Sequence, residues 1–388
     1  MVSAGAAAGQ RGGRRPGQSA LPEGVRPGRG QRKQACPDSA LAGQKRQGFG
    51  SGGVRNHTRE PGRVKLAVLA ALVAALSLPA QAAQTITFTV PSIQMFEAPY
   101  LVAYEKGYFA AEGLDFKYIV ANGGVATPAL VSGSIDASAS SASAMTAILR
   151  GGPIRIVLVL QNRGVYSLWS TRPDIHTLAD LKGKQIGIET RGDAGEVATR
   201  IALQAAGIPP DSVTYAPLGT ANAASAVSGV LPAFVLAGTD IFELRAKGAL
   251  SAAHLIMDYK SIHMPIDGLA VSEKLITDHP DLLDKMLRAI VKGMLYTRAY
   301  KQQTIAILSK LQPQETAAVG AMDYDSFIAG LAPDMILTDD DIRGDLDARA
   351  QLLGMTHDAI PPIDAIYNFG PLRAAEAEVR ASGWKPVP

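Results

Sequence analysis

Three short segments of polar residues and glycine each follow a predicted β-strand in the first part of the folded sequence. The strands cover residues 85–90, 116–120 and 135–139, and the segments behind them cover residues 94–97, 122–124 and 140–143. In an open α/β sheet, ligands bind beyond the carboxyl ends of the strands, where helix N-termini present unpaired backbone N–H groups. The spacing therefore predicts one wall of a ligand-binding site.

A second set of strands repeats this arrangement further along the chain. A strand at residues 185–189 precedes the polar segment 190–194, and strands at 213–218 and 233–237 follow it. We expect the two sets to face each other across a cleft. The predicted ligand-binding residues are Gln94, Met95, Phe96, Glu97, Asn122, Gly123, Gly124, Ser140, Ser141, Thr190, Arg191, Gly192, Asp193, Ala194, Tyr215, Thr239 and Asp240.

Other roles are open for several of these residues. The serines, the glycines and Asp240 also suit helix caps and turns, and Thr239 or Asp240 would cap a helix predicted at residues 241–247. Met95 and Phe96 could equally belong to the hydrophobic core. Tyr166 and Trp169 are expected to pack where the two halves of the protein meet.

The charged residues of the predicted cleft point to two kinds of ligand. Arg191 would suit a sulfonate, carboxylate or phosphate, because a guanidinium makes bidentate contacts to such groups; the alternative is a solvated loop arginine. Glu97 and Asp193 favour a ligand with an amine or a ring N–H. We therefore expect a small organic ligand, anionic or zwitterionic, with sulfonates and aromatic molecules beside Phe96 among the candidates.

The usual patterns of catalytic and metal sites are missing from the sequence. The histidines of the folded part lack metal-ligand spacing, and neither a phosphate loop nor a dinucleotide fingerprint is present. The single cysteine, Cys36, lies in the N-terminal extension. We therefore expect no catalytic residue, no metal and no cofactor, and hence a binding protein rather than an enzyme.

The first 83 residues differ in composition from the rest. Residues 1–63 are rich in Gly, Arg, Pro and Gln and cannot form a core, so they are interpreted as a disordered or misannotated leader, with translation starting near Val64. Residues 64–83 have the basic start, short apolar centre and small residues of a secretory signal peptide, cleaved near Ala82 or Ala83. An uncleaved membrane anchor is the alternative.

Net charge divides the chain at the same place. Residues 1–83 carry thirteen Lys/Arg and three Asp/Glu, or +10, so that residues 84–388 carry −7. Without a basic surface, the exported part has no reason to bind nucleic acid. A cysteine-free, acidic, exported protein fits the periplasm, and we expect it to be a monomer.

The alternation of strands and helices predicts an α/β protein with two lobes, each a mixed sheet flanked by helices. We assign residues 84–182 and 266–388 to a discontinuous lobe I and residues 183–265 to an inserted lobe II. The crossings are predicted near residues 170–184 and 258–267. After Ser272 the pattern is almost wholly helical, and these C-terminal helices should pack on lobe I.

Several motifs in sequence order resemble a known family. They are APYLVAYEKGYF at 98–109, EGLD at 112–115, LVSGSIDA at 130–137, LADLKGKQIG at 178–187 and LQAAGI at 203–208. Together they resemble the SsuA-like periplasmic solute-binding proteins of ABC importers for nitrate, sulfonates and taurine. The position of Glu97 is neutral or a histidine in many such proteins, so its carboxylate speaks against a simple nitrate or sulfonate ligand.

The resemblance implies the two-lobe periplasmic binding protein fold, known as the Venus-flytrap fold, which closes around a small molecule. It also implies an ABC permease and its ATPase as partners. Two other functions are open on the same scaffold. One is an enzyme of thiamine-pyrimidine synthesis or a chorismate-dehydratase-like enzyme, and the other is a sensory ligand-binding domain.

Overall fold

The computed structural model describes residues 83–219, 228–313 and 317–388. The predicted leader, the signal peptide up to Ala82, Cys36 and all but the last residue of a helix predicted at 221–228 lie outside the described residues. The described residues all belong to one compact unit, Leu78–Pro388. Within them, no helix combines the length and the apolar character that crossing a membrane requires.

The first sheet has the strand order β2-β1-β3-β10-β4. Its strands are β1 (Gln84–Val90), β2 (Leu114–Val120), β3 (Ala137–Ser138), β4 (Ile154–Arg163) and β10 (His263–Ser272). β1 pairs in parallel with β2 and β3, and Phe88 lies opposite both Tyr118 and Ala137. β10 runs antiparallel to β3 and β4, which makes the sheet mixed.

The second sheet has the order β7-β6-β8-β5-β9 and the same mixed pattern. Its strands are β5 (Tyr166–Ser170), β6 (Gln185–Ile188), β7 (Thr214–Pro217), β8 (Ala233–Ala237) and β9 (His254–Asp258). β6 pairs in parallel with β7 and β8, whereas β5 runs antiparallel to β8 and β9. The predicted fold class, two lobes each built on a mixed sheet, is confirmed.

Helices surround both sheets. The helices of the described residues are α1 (Ala98–Glu105), α2 (Tyr108–Ala111), α3 (Gly123–Val131), α4 (Ser141–Leu149), α5 (Ala194–Ala205), α6 (Gly238–Ala246), α7 (Glu273–Asp278), α8 (Pro280–Ala299), α9 (Lys301–Leu311), α10 (Ala317–Gly330), α11 (Asp339–Leu352), α12 (Ile363–Ile366) and α13 (Gly370–Ala381). A 3-10 turn, Met95–Glu97, precedes α1.

Alternate side chains of the strands enter different cores. In β10, Leu269 and Val271 belong to one core cluster and Ala270 to another. In β5 of the second sheet, Leu168 and Trp169 divide in the same way. Since side chains point to opposite faces with a period of two, both sheets are buried on both sides.

The first crossing between the sheets differs from the prediction. β5 pairs with β8 and β9, so it belongs to lobe II, and the chain crosses at residues 164–165 rather than near 170–184. The second crossing, at residues 259–262, lies within the predicted region. The two crossings run side by side, because Gly164 N donates a 3.2 Å hydrogen bond to Ile262 O. The other predicted domain limits stay predictions.

The C-terminal helices pack on lobe I, as predicted, and two of them also reach lobe II. Along α8, Leu283, Met286, Leu287 and Ile290 form a buried stripe that packs with α1 and α13. α10 contacts α6 of lobe II, and α11 contacts both β10 and α5. The two lobes are therefore held at the crossings and by this helical segment.

Candidate functional site

A cavity of about 170 Å³ lies between the two lobes, where the carboxyl ends of the parallel strands meet. Lobe I and lobe II both supply its polar wall, and Tyr166 lies beside the crossing. The polar residues of this wall are Ser92, Gln94, Glu97, Ser140, Ser143 and Asp267 from lobe I, with Glu189, Thr190, Asp193 and Asp240 from lobe II. This is the position that the strand–loop–helix pattern indicates for a ligand.

The structure brings some of the predicted site residues to this cavity and places others elsewhere. Those that line it are Gln94, Phe96, Glu97, Gly123, Ser140, Thr190, Asp193, Ala194 and Asp240. Those outside its lining are Met95, Asn122, Gly124, Ser141, Arg191, Gly192 and Tyr215. The side chain of Thr239 lies outside what the structure describes.

Several residues outside the lining have a structural role that explains their type. Met95 is buried in the lobe I core. Asn122 caps α3, since its side-chain oxygen accepts a 3.1 Å hydrogen bond from Gly124 N. Ser141 is buried in the first turn of α4. These three residues therefore have places in the core or at helix starts and lie outside the cavity lining.

Arg191, the expected anion-binding residue, points away from the cavity. Its Nη1 forms a 3.0 Å ion pair with Glu196 Oε1, and its side chain is 49% exposed. The guanidinium of Arg191 also lies 5.5 Å from the ring centroid of Tyr215. The guanidinium of Arg200 lies 4.6 Å from the same centroid. Arg191 therefore belongs to a cluster on lobe II outside the cleft.

Two glycines of the predicted site are required by close packing. Any Cβ on Gly123 would overlap the side chain of Ser143, so glycine lets α3 begin against α4. Gly192 has a φ of +76°, and its Cβ would lie 2.6 Å from Thr146 Oγ1. Gly192 N donates to Glu196 Oε2 at 2.8 Å, so this turn is fixed by contacts within the protein.

Asp193 begins α5 and faces the cavity at the same time. Its Oδ1 accepts a 2.7 Å hydrogen bond from Glu196 N and its Oδ2 accepts one of 2.7 Å from Thr190 N. Burial raises the pKa of Asp193 to about 6, although these two N–H groups lower it. Both carboxylate oxygens are thus already used by the helix start.

Asp240 does not cap a helix in the predicted way. α6 begins at Gly238, with Ala237 as its N-cap residue, so Asp240 lies within the first turn. Its Oδ1 accepts a 3.4 Å hydrogen bond from Gln94 Nε2 of lobe I. Burial, and then the charge of Glu243, raise the pKa of Asp240 to about 6. This contact joins the two lobes across the cleft.

Glu97 and Asp267 are the two most deeply buried acidic groups of the cavity. They are 1% and 7% exposed, and neither Glu97 Oε2 nor Asp267 Oδ2 has a hydrogen-bond partner among the described residues. Burial raises the pKa of each carboxyl, and the charge of Asp267 raises that of Glu97 further. Such groups are costly unless something pairs with them.

Sequence reasoning missed Asp267 and Glu189 as site residues and placed Tyr166 only at the crossing. A signal for Asp267 was present, because it is the one charge in the apolar run of β10 from Met264 to Ser272. Glu189 directly follows β6. Burial, then the charges of Asp193 and Asp240, raise its pKa to about 8.

The cavity is consequently rich in carboxyl groups but has no other charged or strongly nucleophilic side chain in its described lining. Among the described residues, neither Lys, Arg, His nor Cys lines it. Across the part of the chain that the structure describes, no three His, Cys, Asp or Glu side chains converge as a metal site requires. The arrangement can pair with hydrogen-bond donors from a ligand and can surround a small molecule from both lobes.

The fold and the interlobe cavity define a class, the two-lobe proteins of the periplasmic binding protein fold. The chain is similar to the alkanesulfonate-binding protein SsuA of Xanthomonas axonopodis pv. citri bound to MOPS, with a TM-score of 0.61, 17% identity and coverage of 73% of this chain and 98% of that one. It is similar to the nitrate-binding protein NrtA of Synechocystis PCC 6803, with a TM-score of 0.60, 16% identity and coverage of 77% and 90%. At these identities the likeness shows the fold.

The chain belongs to the NMT1/THI5-like family, whose family model matches residues 95–304. It is also 29% identical, over 231 residues, to the riboflavin-binding protein RibY of Chloroflexus aurantiacus. That match covers 58% of this chain and 65% of RibY, which is slightly less than two thirds of the relative's length. The resemblance expected from the motifs at residues 98–208 is thereby confirmed.

Proposed function

We propose that the protein is an extracytoplasmic solute-binding receptor that captures a small organic molecule between its lobes and delivers it to an ABC importer. The observation that carries this proposal is the cavity walled by both lobes beside two adjacent crossings. A ligand there contacts both lobes only when they are closed, and this differential contact shifts the population towards the closed form.

The proposed partners are an ABC permease and its ATPase, which would distinguish the closed, loaded receptor from the open one by shape. Membership of the NMT1/THI5-like family and the likeness to SsuA and NrtA support these partners and a location outside the cytoplasm. We propose no enzymatic step, because the cavity presents carboxyl groups without a cysteine or histidine beside them among the described residues.

The cavity favours a ligand smaller than most drug-sized molecules. Its volume of about 170 Å³ lies below the roughly 300–1,000 Å³ typical of drug-sized sites. A molecule as large as the riboflavin bound by the relative RibY would need the lobes to stand further apart. An organic ligand with a donor group fits the carboxyl-lined wall better than a simple anion such as nitrate, since Arg191 points away.

A thermal-shift screen of the purified protein tests the proposal. The panel comprises nitrate, taurine, MOPS, riboflavin, aromatic acids, amines and amidines. A true ligand raises the melting temperature increasingly as its concentration exceeds the dissociation constant. The variant Thr190→Trp, which fills the cavity, should lose the shift, whereas the exposed control Thr277→Trp should keep it. If no compound stabilises the protein, or Thr190→Trp keeps the full shift, the receptor proposal is wrong.

A further inference from the structure

We infer that the cleft selects a ligand bearing a protonated nitrogen (an amine, amidine or guanidine) and holds that nitrogen among Glu97, Asp267 and Glu189. This inference rests on the proposed receptor function and adds the ligand's charge class. It replaces the expectation of an anionic ligand. A zwitterion remains compatible, provided that its cationic end lies at these carboxylates.

The first observation is a pair of buried acceptor atoms that the protein leaves unsatisfied. Glu97 Oε2 and Asp267 Oδ2 lack partners among the described residues, and both residues are more than nine-tenths buried in the cavity wall. Asp267 Oδ1, by contrast, accepts a 2.8 Å hydrogen bond from Gly268 N. The unpartnered oxygens need donors, and a protonated nitrogen supplies up to three.

The second observation is that the described residues supply no cation to these groups. The described lining contains no Lys, Arg or His. Two internal segments, 220–227 and 314–316, lie outside the described residues, but their sequences also contain no Lys, Arg or His. Within the described residues, the positive charge that balances the buried carboxylates is left to the ligand or to bound protons.

Stabilisation of helix N-termini explains the presence of only some of the acidic residues that line the cavity. Asp193 caps α5, and Asp240 lies in the first turn of α6, where a carboxylate complements the helix dipole. Glu97 is the N-cap residue of α1, but its side chain makes no capping hydrogen bond, and Glu189 and Asp267 lie at no helix start. The starts of α3 and α4 carry no acidic residue, so they could accept the negative end of a zwitterion.

The described carboxyl groups of the cavity do not form a metal site. In the described ranges no group of three acidic, histidine or cysteine side chains has the geometry of a metal site. A cavity of about 170 Å³ instead has room for several non-hydrogen atoms, given that one water needs ~10–15 Å³ on the same measure. An organic cation matches the unpartnered carboxyl oxygens and the volume.

Proton release should accompany the binding of such a cation. Burial raises the pKa of Glu97, Asp267 and Glu189 and so favours their protonated form in the free protein, whereas a bound cation favours their ionised form. The titratable groups in and next to the cavity wall are Glu97, Tyr100, Asp267, Tyr166, Glu189, Asp193 and Asp240. The positive charge of Arg349 lowers the pKa of Asp193. Affinity for a cation should therefore rise as the pH rises through the pKa of Glu189, about 8, as long as the ligand nitrogen stays protonated.

Two isosteric series test the charge class on the purified protein. One comprises benzamidine, benzamide and benzoate; the other comprises 1,4-diaminobutane, 4-aminobutyrate, 1,4-butanediol and succinate. Binding is followed by thermal shift and by calorimetry in buffers of different ionisation enthalpy. At least one series should show its nitrogen cation binding more than tenfold tighter than its neutral and anionic isosteres, with protons released and tighter binding at higher pH.

Matched variants assign the effect to the cleft. Glu97→Gln and Asp267→Asn should each weaken the cation by at least about thirtyfold. Both should raise the melting temperature of the free protein, because a buried, unpaired acid is removed. The exposed control Asp278→Asn should change neither quantity. A rise in melting temperature also shows that the variants fold.

The outcomes separate this inference from the receptor proposal. If succinate, benzoate, nitrate or riboflavin binds in the cleft while no molecule with a protonated nitrogen does, the charge class is wrong and the receptor function stands. Divalent metal ions binding more tightly than any organic cation would overturn the inference in the same way. If a cation binds but Glu97→Gln and Asp267→Asn leave its affinity unchanged, the placement is wrong. If nothing binds, both proposals fail.

Discussion

Arg349 Nη1 donates a 2.7 Å hydrogen bond to the carbonyl oxygen of Gly192, which joins helix α11 to the loop that begins α5 of lobe II. The same Nη1 donates to Ala142 O of lobe I at 2.7 Å, and Nε donates to Asp345 Oδ2 at 2.8 Å. Arg349 and Asp345 are fully buried. One guanidinium therefore links both lobes directly behind the cleft.

Arg349→Met should destabilise the protein strongly. Removing one partner of a buried ion pair leaves Asp345 uncompensated and costs about 3–5 kcal/mol. Arg343→Met is a matched control, because Arg343 lies on the same helix and pairs with Asp339 in the same i, i+4 spacing, but both side chains are exposed. It should cost less than about 1 kcal/mol. Urea unfolding measures both, and equal losses would contradict the bridging role of Arg349.

Asp193→Ala should lower both stability and ligand affinity. The loss of the cap on α5 costs about 0.5–2 kcal/mol, and the cavity loses one wall residue. Ser272→Ala removes an equivalent cap, since Ser272 Oγ accepts a hydrogen bond from Leu275 N, but it lies outside the cavity lining. This control should lose stability alone. If Asp193→Ala binds the ligand with unchanged affinity, the role of Asp193 is limited to capping α5.

The free protein should become less stable as pH rises from about 5 to 9. Folded Glu189, with a pKa of about 8, and Asp193 and Asp240, with values of about 6, keep protons that unfolded carboxyls, with a pKa near 4, have already lost. Since the folded state binds more protons, the free energy of unfolding falls with pH. Urea unfolding across this range checks the slope. Glu189→Gln should flatten it above pH 7, and a rising slope in the wild-type protein would contradict the burial of these acids.

Gly164→Ala should damage the crossing between the lobes. A Cβ at Gly164 would overlap the carbonyl group of Tyr259 in the second crossing. We expect a loss of about 1–3 kcal/mol. Gly344→Ala, on α11, has open space around the new Cβ and should instead stabilise by about 0.5–1 kcal/mol. Calorimetric unfolding measures the change in stability of each variant. If Gly164→Ala does not change the stability, the backbone at the crossing can shift to accommodate the new Cβ.

The local sequence was sufficient for most strands and helices but not for the partner of every strand. The alternation of polar and apolar residues predicts β5 at Tyr166–Ser170. The same alternation would be expected whether the strand belonged to the first sheet or to the second. Only its pairing with β8, some sixty-five residues later, assigns it to lobe II. The crossing was therefore misplaced because strand pairing is a non-local property.

The same limit applies to the site. The polar segments after each strand indicated the cleft, because the carboxyl ends of parallel strands meet at one edge. The direction of a side chain was not readable, so Arg191 was expected to face the ligand, whereas it pairs with Glu196. The burial of Arg349 could not be inferred from the sequence either, because α11 has acidic residues in each of its first two turns and little apolar periodicity.

The crystal structure of the complex with the most strongly stabilising ligand tests the central claim most directly. We predict that the ligand lies between the lobes and contacts Glu97 or Asp267 of lobe I together with Glu189 of lobe II. A ligand found instead in another depression, such as the one beside Arg155, His357 and Arg373, would contradict the account.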